Sequence, residues 1–363
     1  MNLSRRHDYD VVGIGNALVD ALTRSGDATI DDLGLVKGTM SLVGLDFVQQ
    51  FGSKISADTH VSGGSAANTC AGLASLGANV AFIGRVAKDD LGHEFEQDIS
   101  RAGVTFRHKA SHRPHDPGDA TGRCYIFVTP DAERTMATFL GVSSQLSEHD
   151  IDLSLVSHSM ITYLEGYLWD LDQTKDALRH AMKKAHEAGH LVAISLSDPF
   201  VADRHRDELI ELIEGSNDPN KSDGVFVDVV FGNEDEVSLL YQCEFSSAAE
   251  RLSANNVIAG LTQGAKGSTA FYRDETVHVD SRKLSGVIDT TGAGDLYAAG
   301  FLFGMTRQLS SISTGTLKEN FERINLQQCC ELGSLAAAEI ISHMGSRPKV
   351  SLGKLVRSEG LIS

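Results

Sequence analysis

Short apolar runs that end in small residues alternate along this chain with stretches of helical period, and that alternation constrains the fold more than any other feature. "YDVVGIG" (9–15) reads as a buried strand, and "SAANTCAGLASLG" (65–77) as a small-residue helix stopped by Gly77. "NVAFIGRV" is a strand, and "DDLGHEFEQDISRAG" a helix closed by Gly103. The pattern continues with "SMITYLEG" (strand), "LDQTKDALRHAMKKAHEAG" (helix) and "HLVAISLS" (strand). Then come "RDELIELIEG" (helix), "VDVVFGN" (strand), "SAAERLSANN" (helix) and "VIAGLTQG" (strand). Strands that alternate with amphipathic helices form βαβ units, so the expected class is α/β with a mostly parallel sheet covered on both faces.

Two stretches break the alternation. Residues 16–62 hold short, partly alternating runs such as "TMSLVG", and "TGRCYIFVTPDAERTMATFL" (121–140) reads as a hairpin turning at Pro130–Asp131. These two are expected to pair as a small separate β sheet, a lid over the carboxyl edge of the main one. The implied division is a core of residues 1–15, 63–120 and 141–363, with a lid of 16–62 and 121–140. "SHRPHDPGD" (111–119) and "GSNDPNKSDG" (215–224) read as exposed loops.

At 363 residues the chain can bury one large core or two modest ones. A net charge of −17, with Lys and Arg scattered, argues against a protein that coats nucleic acid. It leaves room for a small anion held by backbone amides. No run of eighteen apolar residues predicts a membrane span, and "MNLSRRHDYD" does not read as a signal peptide. The five cysteines (Cys70, Cys124, Cys243, Cys329, Cys330) show no C-x-x-C spacing, so buried, reduced thiols in a cytoplasmic protein are expected.

Some motifs fail on their context. "HEAGH" (186–190) matches H-E-x-x-H, but Gly189 stops the helix on which both histidines would have to converge. "HRDELIEL" (205–212) opens like a protein-kinase catalytic loop, yet Leu212 stands where the Asn belongs. "GIGNAL" puts Leu18 at the third glycine of a dinucleotide fingerprint, and "GLTQGAKGS" lacks the Walker A spacing.

"DTTGAGDLYAAGF" (289–301) remains. Its small residues leave backbone N–H groups unobstructed at a helix start, where the dipole favours an anion such as a transferring phosphoryl group. Asp295 is poorly placed to bind an anion but well placed to take a proton from a nucleophile beside it. Equally, Asp295 could simply cap the helix.

At this point the chain resembles, almost end to end, the ribokinase-like (PfkB) family of carbohydrate and nucleoside kinases, its adenosine kinases most of all. "DTTGAGDLYAAGFLFG" is similar to the family's C-terminal signature, which implies Asp295 as the catalytic base and Gly292, Ala293 and Gly294 as the anion hole. "SGGSAANTCAGLASLG" (62–77) matches the N-terminal signature, implying Gly63, Gly64 and Asn68 at the sugar hydroxyls. "GIGNALVD" matches the first-strand motif, with Asp20 on the sugar. "FGNEDE" (231–236) fits N-x-x-E near the phosphates, giving Asn233 to ATP and Glu236 to Mg²⁺ through water. "LTQG" fits the nucleotide-contacting T-x-G through Thr262 and Gly264, and Arg134 matches a lid arginine that either clamps phosphates or stays solvated. The family fold is a three-layer α/β/α sandwich with a β lid.

The resemblance implies an ATP-dependent kinase that phosphorylates a primary hydroxyl of a nucleoside or sugar. "GN" before "ALVD", "YLEGY" (163–167) and "VDVVFGNEDE" lean toward adenosine as acceptor, with Tyr167 stacking on the purine. Sugar kinases share the same motifs, and a non-catalytic nucleoside sensor is the reading from another class. A monovalent cation (K⁺) near Asp289 and Thr290, and a monomer or a dimer joined through the lid, also go with the family. No nucleic-acid or membrane partner is implied.

Overall fold

The computed structural model describes residues 7–52, 55, 59–108, 119–131, 133–215, 224–284, 286–312 and 315–362. Most of both stretches read as exposed loops, 109–118 and 216–223, lies outside them. The strands are β1 (Tyr9–Ile14), β2 (Leu18–Arg24), β3 (Met40–Leu42), β4 (Thr59–Gly63), β5 (Val80–Ile83), β6 (Val104–Arg107) and β7 (Gly122–Val128). They continue with β8 (Arg134–Phe139), β9 (Ser159–Glu165), β10 (Leu191–Ser195), β11 (Val229–Asn233), β12 (Ile258–Thr262), β13 (Ser268–Tyr272) and β14 (Glu275–Val279).

Nine strands form one sheet in the order β14-β13-β12-β11-β10-β9-β1-β5-β6, parallel except for the β12–β13 and β13–β14 pairs. Alternation along β1 sends Val11 into one face and Val12 into the other, both fully buried. The Val11 face packs under the helices Ser65–Leu76, Ala293–Ser311 and Leu326–Ile340. The Val12 face packs under Asp172–Glu187, Arg206–Glu214 and Phe245–Ser253. This is the expected α/β class. The β13–β14 hairpin, turning through Arg273 at φ 50°, extends one edge and was not among the expected elements. Its second strand is largely solvated and lacks the apolar run that marks the others.

The second sheet runs β3-β8-β7-β2-β4. Tyr125 and Phe127 of β7 face outward beneath the short helices Asp27–Asp32 and Leu45–Phe51, through Ile30 and Phe47. Cys124 and Ile126 point the other way, toward the main sheet.

The sequence's rejected motifs fall where their context put them. The helix Asp172–Glu187 ends before Gly189 (φ 77°), and the His186 imidazole meets the buried Asp228 carboxylate at 2.8 Å. Residues 206–212 are the start of a helix. None of the five cysteines is in a disulfide, and Cys243 alone among them is half-buried rather than buried. Among the described residues, no helix is long and apolar enough to cross a membrane.

Candidate active site

The connection order reverses beside β1: the chain runs outward through β5 and β6 on one side, and from β9 through β12 on the other. In an open α/β sheet such a switch point leaves a crevice outside the carboxyl ends of the strands. A cavity of about 660 Å³ lies there. It is lined by Asn16 after β1, Glu165 and Tyr167 at the end of β9, Ser195 and Ser197 at the end of β10, Asn233 at the end of β11 and Thr262 ending β12. The second sheet closes it from above with Leu18, Asp20, Met40, Leu42, Ile126, Arg134, Met136 and Thr138.

Asp295 is the third residue of the helix Ala293–Ser311, whose N-cap is Gly292 at φ 77°. A glycine there offers no side chain to cap the first-turn N–H groups, which therefore remain available to a ligand. A Cβ at Gly294 would meet open space, so the amides of this turn are approached from the cavity without obstruction. The Asp295 carboxylate does not cap its own helix. Its Oδ1 accepts from Ser65 Oγ at 2.7 Å and its Oδ2 from Asn68 Nδ2 at 2.9 Å. The residue is partly exposed, but it faces the cavity rather than bulk water. That burial raises its pKa above the ordinary carboxylate range, against the hydrogen bonds from Ser65 and Asn68 and the charges of Arg347 and Arg134.

Asp20, on β2, is 4% exposed and accepts a long hydrogen bond from Ser346 Oγ. Burial pushes its carboxyl up to about 7, opposed chiefly by Arg347. The paired glycines fit around it. A Cβ at Gly63 would lie 2.2 Å from the Asp20 carboxyl, and one at Gly64 (φ 97°) would lie 2.0 Å from the Asn16 carbonyl. Gly63 itself does not line the cavity; it makes room for Asp20.

At the far end, Asn233 caps the helix Glu234–Tyr241 in a reciprocal box with Glu236. Asn233 N and Nδ2 donate to the two Glu236 oxygens at 3.0 and 2.8 Å, and burial pushes this carboxyl up to about 8. Each oxygen keeps a second lone pair for water. The described residues hold no cluster of three metal-ligating side chains, so the donors fit a hydrated Mg²⁺ contacted through water, not an all-protein cage. Thr262 and Gly264 line the same end. Tyr167 lines the cavity, and its phenol is held well above its usual pKa by burial, with the charges of Asp198 and Glu236 adding to the rise.

Arg134 is not a solvated hairpin residue. It spans from β8 to the turn before Gly292, donating to Thr291 Oγ1 at 2.9 Å with Nε 3.7 Å from Asp289. Asp289 is 1% exposed and accepts from Thr291 N, Thr291 Oγ1 and Gly345 N. Arg134 thus ties β8 to the turn that carries Asp289.

Three contributors escaped the sequence reading. Ser65, on Asp295, lies inside the quoted "SGGSAAN". Glu165, 1% exposed and pushed up to about 7 by burial, accepts from Asn16 Nδ2 and Ala66 N, tying β9 to the Ser65–Leu76 helix. Arg347 reaches Asn68 from 279 positions away, and no local pattern marks it.

Comparison with known proteins gives a consistent set. The model of the pfkB family carbohydrate kinase matches residues 43–351. The chain is similar to the crystal structure of an adenosine kinase from Sinorhizobium meliloti, with 41% identity and a TM-score of 0.84, over 97% of this chain and 99% of that one. A probable sugar kinase from Rhizobium etli CFN 42 superimposes with a TM-score of 0.86 at 36% identity, over 98% and 100%. Among curated sequences, a probable chloroplastic fructokinase-6 of Arabidopsis thaliana is 26% identical over 68% of this chain, which spans 63% of that protein.

Proposed function

Because the chain belongs to the pfkB family of carbohydrate kinases, enzymes that pass a phosphoryl group to an alcohol, we propose that its acceptor is the 5′-hydroxyl of a nucleoside, adenosine first. The observation that carries this reading is the apolar wall of the lid: Leu18, Met40, Leu42, Ile126, Met136 and Leu140. A free sugar set against it would leave hydroxyls desolvated and unpaired, at about 1–3 kcal/mol each. A purine gains from the same surface, since methionine and aliphatic side chains pack well on an aromatic face. The 41% identity to an adenosine kinase agrees. Tyr167 lines the same cavity and offers its ring to the base from the other side.

In this reading Asp20 and Asn68 orient the ribose, and closure of the lid over the bound substrates excludes water that would hydrolyse ATP. Asp295 accepts the 5′-hydroxyl proton as that oxygen bonds to the γ-phosphorus and the bond to the ADP oxygen breaks. A carboxyl whose pKa is raised by burial is a stronger base than a solvated one. The amides of Gly292, Ala293 and Gly294 receive the charge on the migrating group, while Asn233, Thr262 and Gly264 hold the nucleotide end. Mg²⁺, contacted by Glu236 through water, supplies charge neutralisation on the phosphates when bound.

A second reading is supported by the sugar kinase likeness: Asp20 and Asn68 would orient the vicinal hydroxyls of a free sugar as well. A coupled assay of ADP release with adenosine, inosine, guanosine, ribose and fructose separates the readings. Adenosine should give the highest kcat/KM. Ribose or fructose ahead of every nucleoside establishes the sugar reading, and no acceptor-dependent ADP leaves a nucleoside sensor.

A further inference from the structure

Arg347 follows the helix Leu326–Ile340 and lies behind the acceptor site. Its Nη1 donates to Asn68 Oδ1 at 2.6 Å and to the Ala67 carbonyl at 3.2 Å. Its Nη2 donates to Ser62 Oγ at 2.8 Å and to the Ser62 carbonyl. A guanidinium has no acceptor, so the Asn68 atom that meets it must be the oxygen. The amide NH₂ is thereby turned to Asp295 Oδ2, at 2.9 Å.

We propose that Arg347 is a positioning residue for phosphoryl transfer: it locks the Asn68 amide in the one orientation that hands a proton donor to the Asp295 carboxylate. This rests on Asp295 being the base. With Arg347 gone, the amide is free to rotate and turn its oxygen to a protonated Asp295 carboxyl, accepting a hydrogen bond from it. The protonated form, which is no base, is thereby stabilised. Loss of the positive charge acts in the same direction. Around Asp295 stand Ser65 and Asn68 from the Ser65–Leu76 helix, Asp20 from β2 and Arg134 from β8. Tyr163 and Glu165 of β9, with Tyr167 just beyond it and Glu236 across the cavity, complete the set. Arg134 is the one other cation among them, and the acids oppose it.

The test is the pH dependence of kcat at saturating ATP and adenosine, or the best acceptor of the panel. In Arg347→Met the acidic limb should rise by about one pH unit, with the ATP KM unchanged within about twofold and the high-pH plateau largely kept. Ser62→Ala, which removes the side-chain contact of the other guanidinium arm and leaves its bond to the Ser62 carbonyl, should lower the melting temperature and leave the limb in place. A folded Arg347→Met whose kcat falls equally at every pH, with the limb unmoved, overturns the proposal. Should Arg347→Met not fold, Arg347→Gln decides: its amide both donates and accepts, so it no longer dictates the orientation of Asn68. A raised limb supports the proposal and an unmoved one overturns it. Asp295→Asn, run alongside, keeps the two readings apart. If it retains turnover, the base assignment fails; if it is inactive while the limb of the Arg347 variants stays put, the relay alone fails.

Discussion

The wall of the cavity built from the nine-stranded sheet carries carboxylates, hydroxyls and bare amides at strand ends and helix starts. The wall built from the five-stranded sheet is mostly aliphatic and methionine side chains, broken by Asp20, Arg134 and Thr138. Every strong hydrogen bond to Asp295 comes from the first wall, from Ser65 and Asn68. The second wall touches the transfer machinery through Arg134, on Thr291 and Asp289. Under the proposed function the contrast divides the labour: the main sheet and its helices carry the chemistry, and the second sheet chooses the acceptor. Backbone amides and fixed carboxylates suit a reaction whose charge moves along one line, whereas soft apolar side chains suit recognition of a flat base.

Three changes bear on that division, from the largest effect to the smallest. Asp295→Asn, on the sheet wall, should lower kcat by ~10²–10⁴ for every acceptor and leave the ATP KM nearly unchanged. Steady-state kinetics with two acceptors checks this, and a loss confined to one acceptor would blur the division. Gly63→Ala places a methyl 2.2 Å from the Asp20 carboxyl and should cost ~10² in kcat/KM for the acceptor, with ATP binding spared. Unchanged kcat/KM would show that Asp20 does not orient the acceptor.

The smallest effect is on stability and involves both walls. Burial pushes Asp20 and Glu165 to about 7 and Glu236 to about 8. In the unfolded chain these carboxyls titrate near pH 4. Between those limits the folded state binds more protons. The stability they contribute is therefore complete below about pH 4 and is lost as pH rises through 7–8. The melting temperature of the ligand-free protein should fall from pH 5 to 8.5, and less steeply in Glu165→Gln. A flat profile, or one that rises, contradicts the burial of these groups.

How much was legible in the sequence follows the same line. Periodicity gave the strands from β1 to β12 that end in small residues, because a strand buried on both faces is written as a continuous apolar run. The solvated β14 has no such signature. Of the residues singled out as a site, all but Gly63 line one cavity, since strand-to-helix turns keep their chemistry within a few consecutive residues. What could not be read was non-local. Arg347 meets Asn68 across 279 positions, and nothing in "GSRPKV" says so. Nor does the alternation in "GRCYIFV" reveal that Ile126 faces a cavity while Phe127 packs under a helix. The reaction could be read from short motifs; the shape of the acceptor pocket needed the fold.

The central claim, that the sheet wall transfers while the lid wall selects, is tested most directly by one ratio, kcat/KM for adenosine over kcat/KM for ribose, in the wild type and in Ile126→Asn/Met136→Asn. Replacing apolar contacts to a base by polar groups is worth roughly 1–3 kcal/mol. The ratio should accordingly fall by about 10–100-fold while kcat with saturating acceptor changes little. A ratio that stays constant, or a wild type that already prefers ribose, would contradict it.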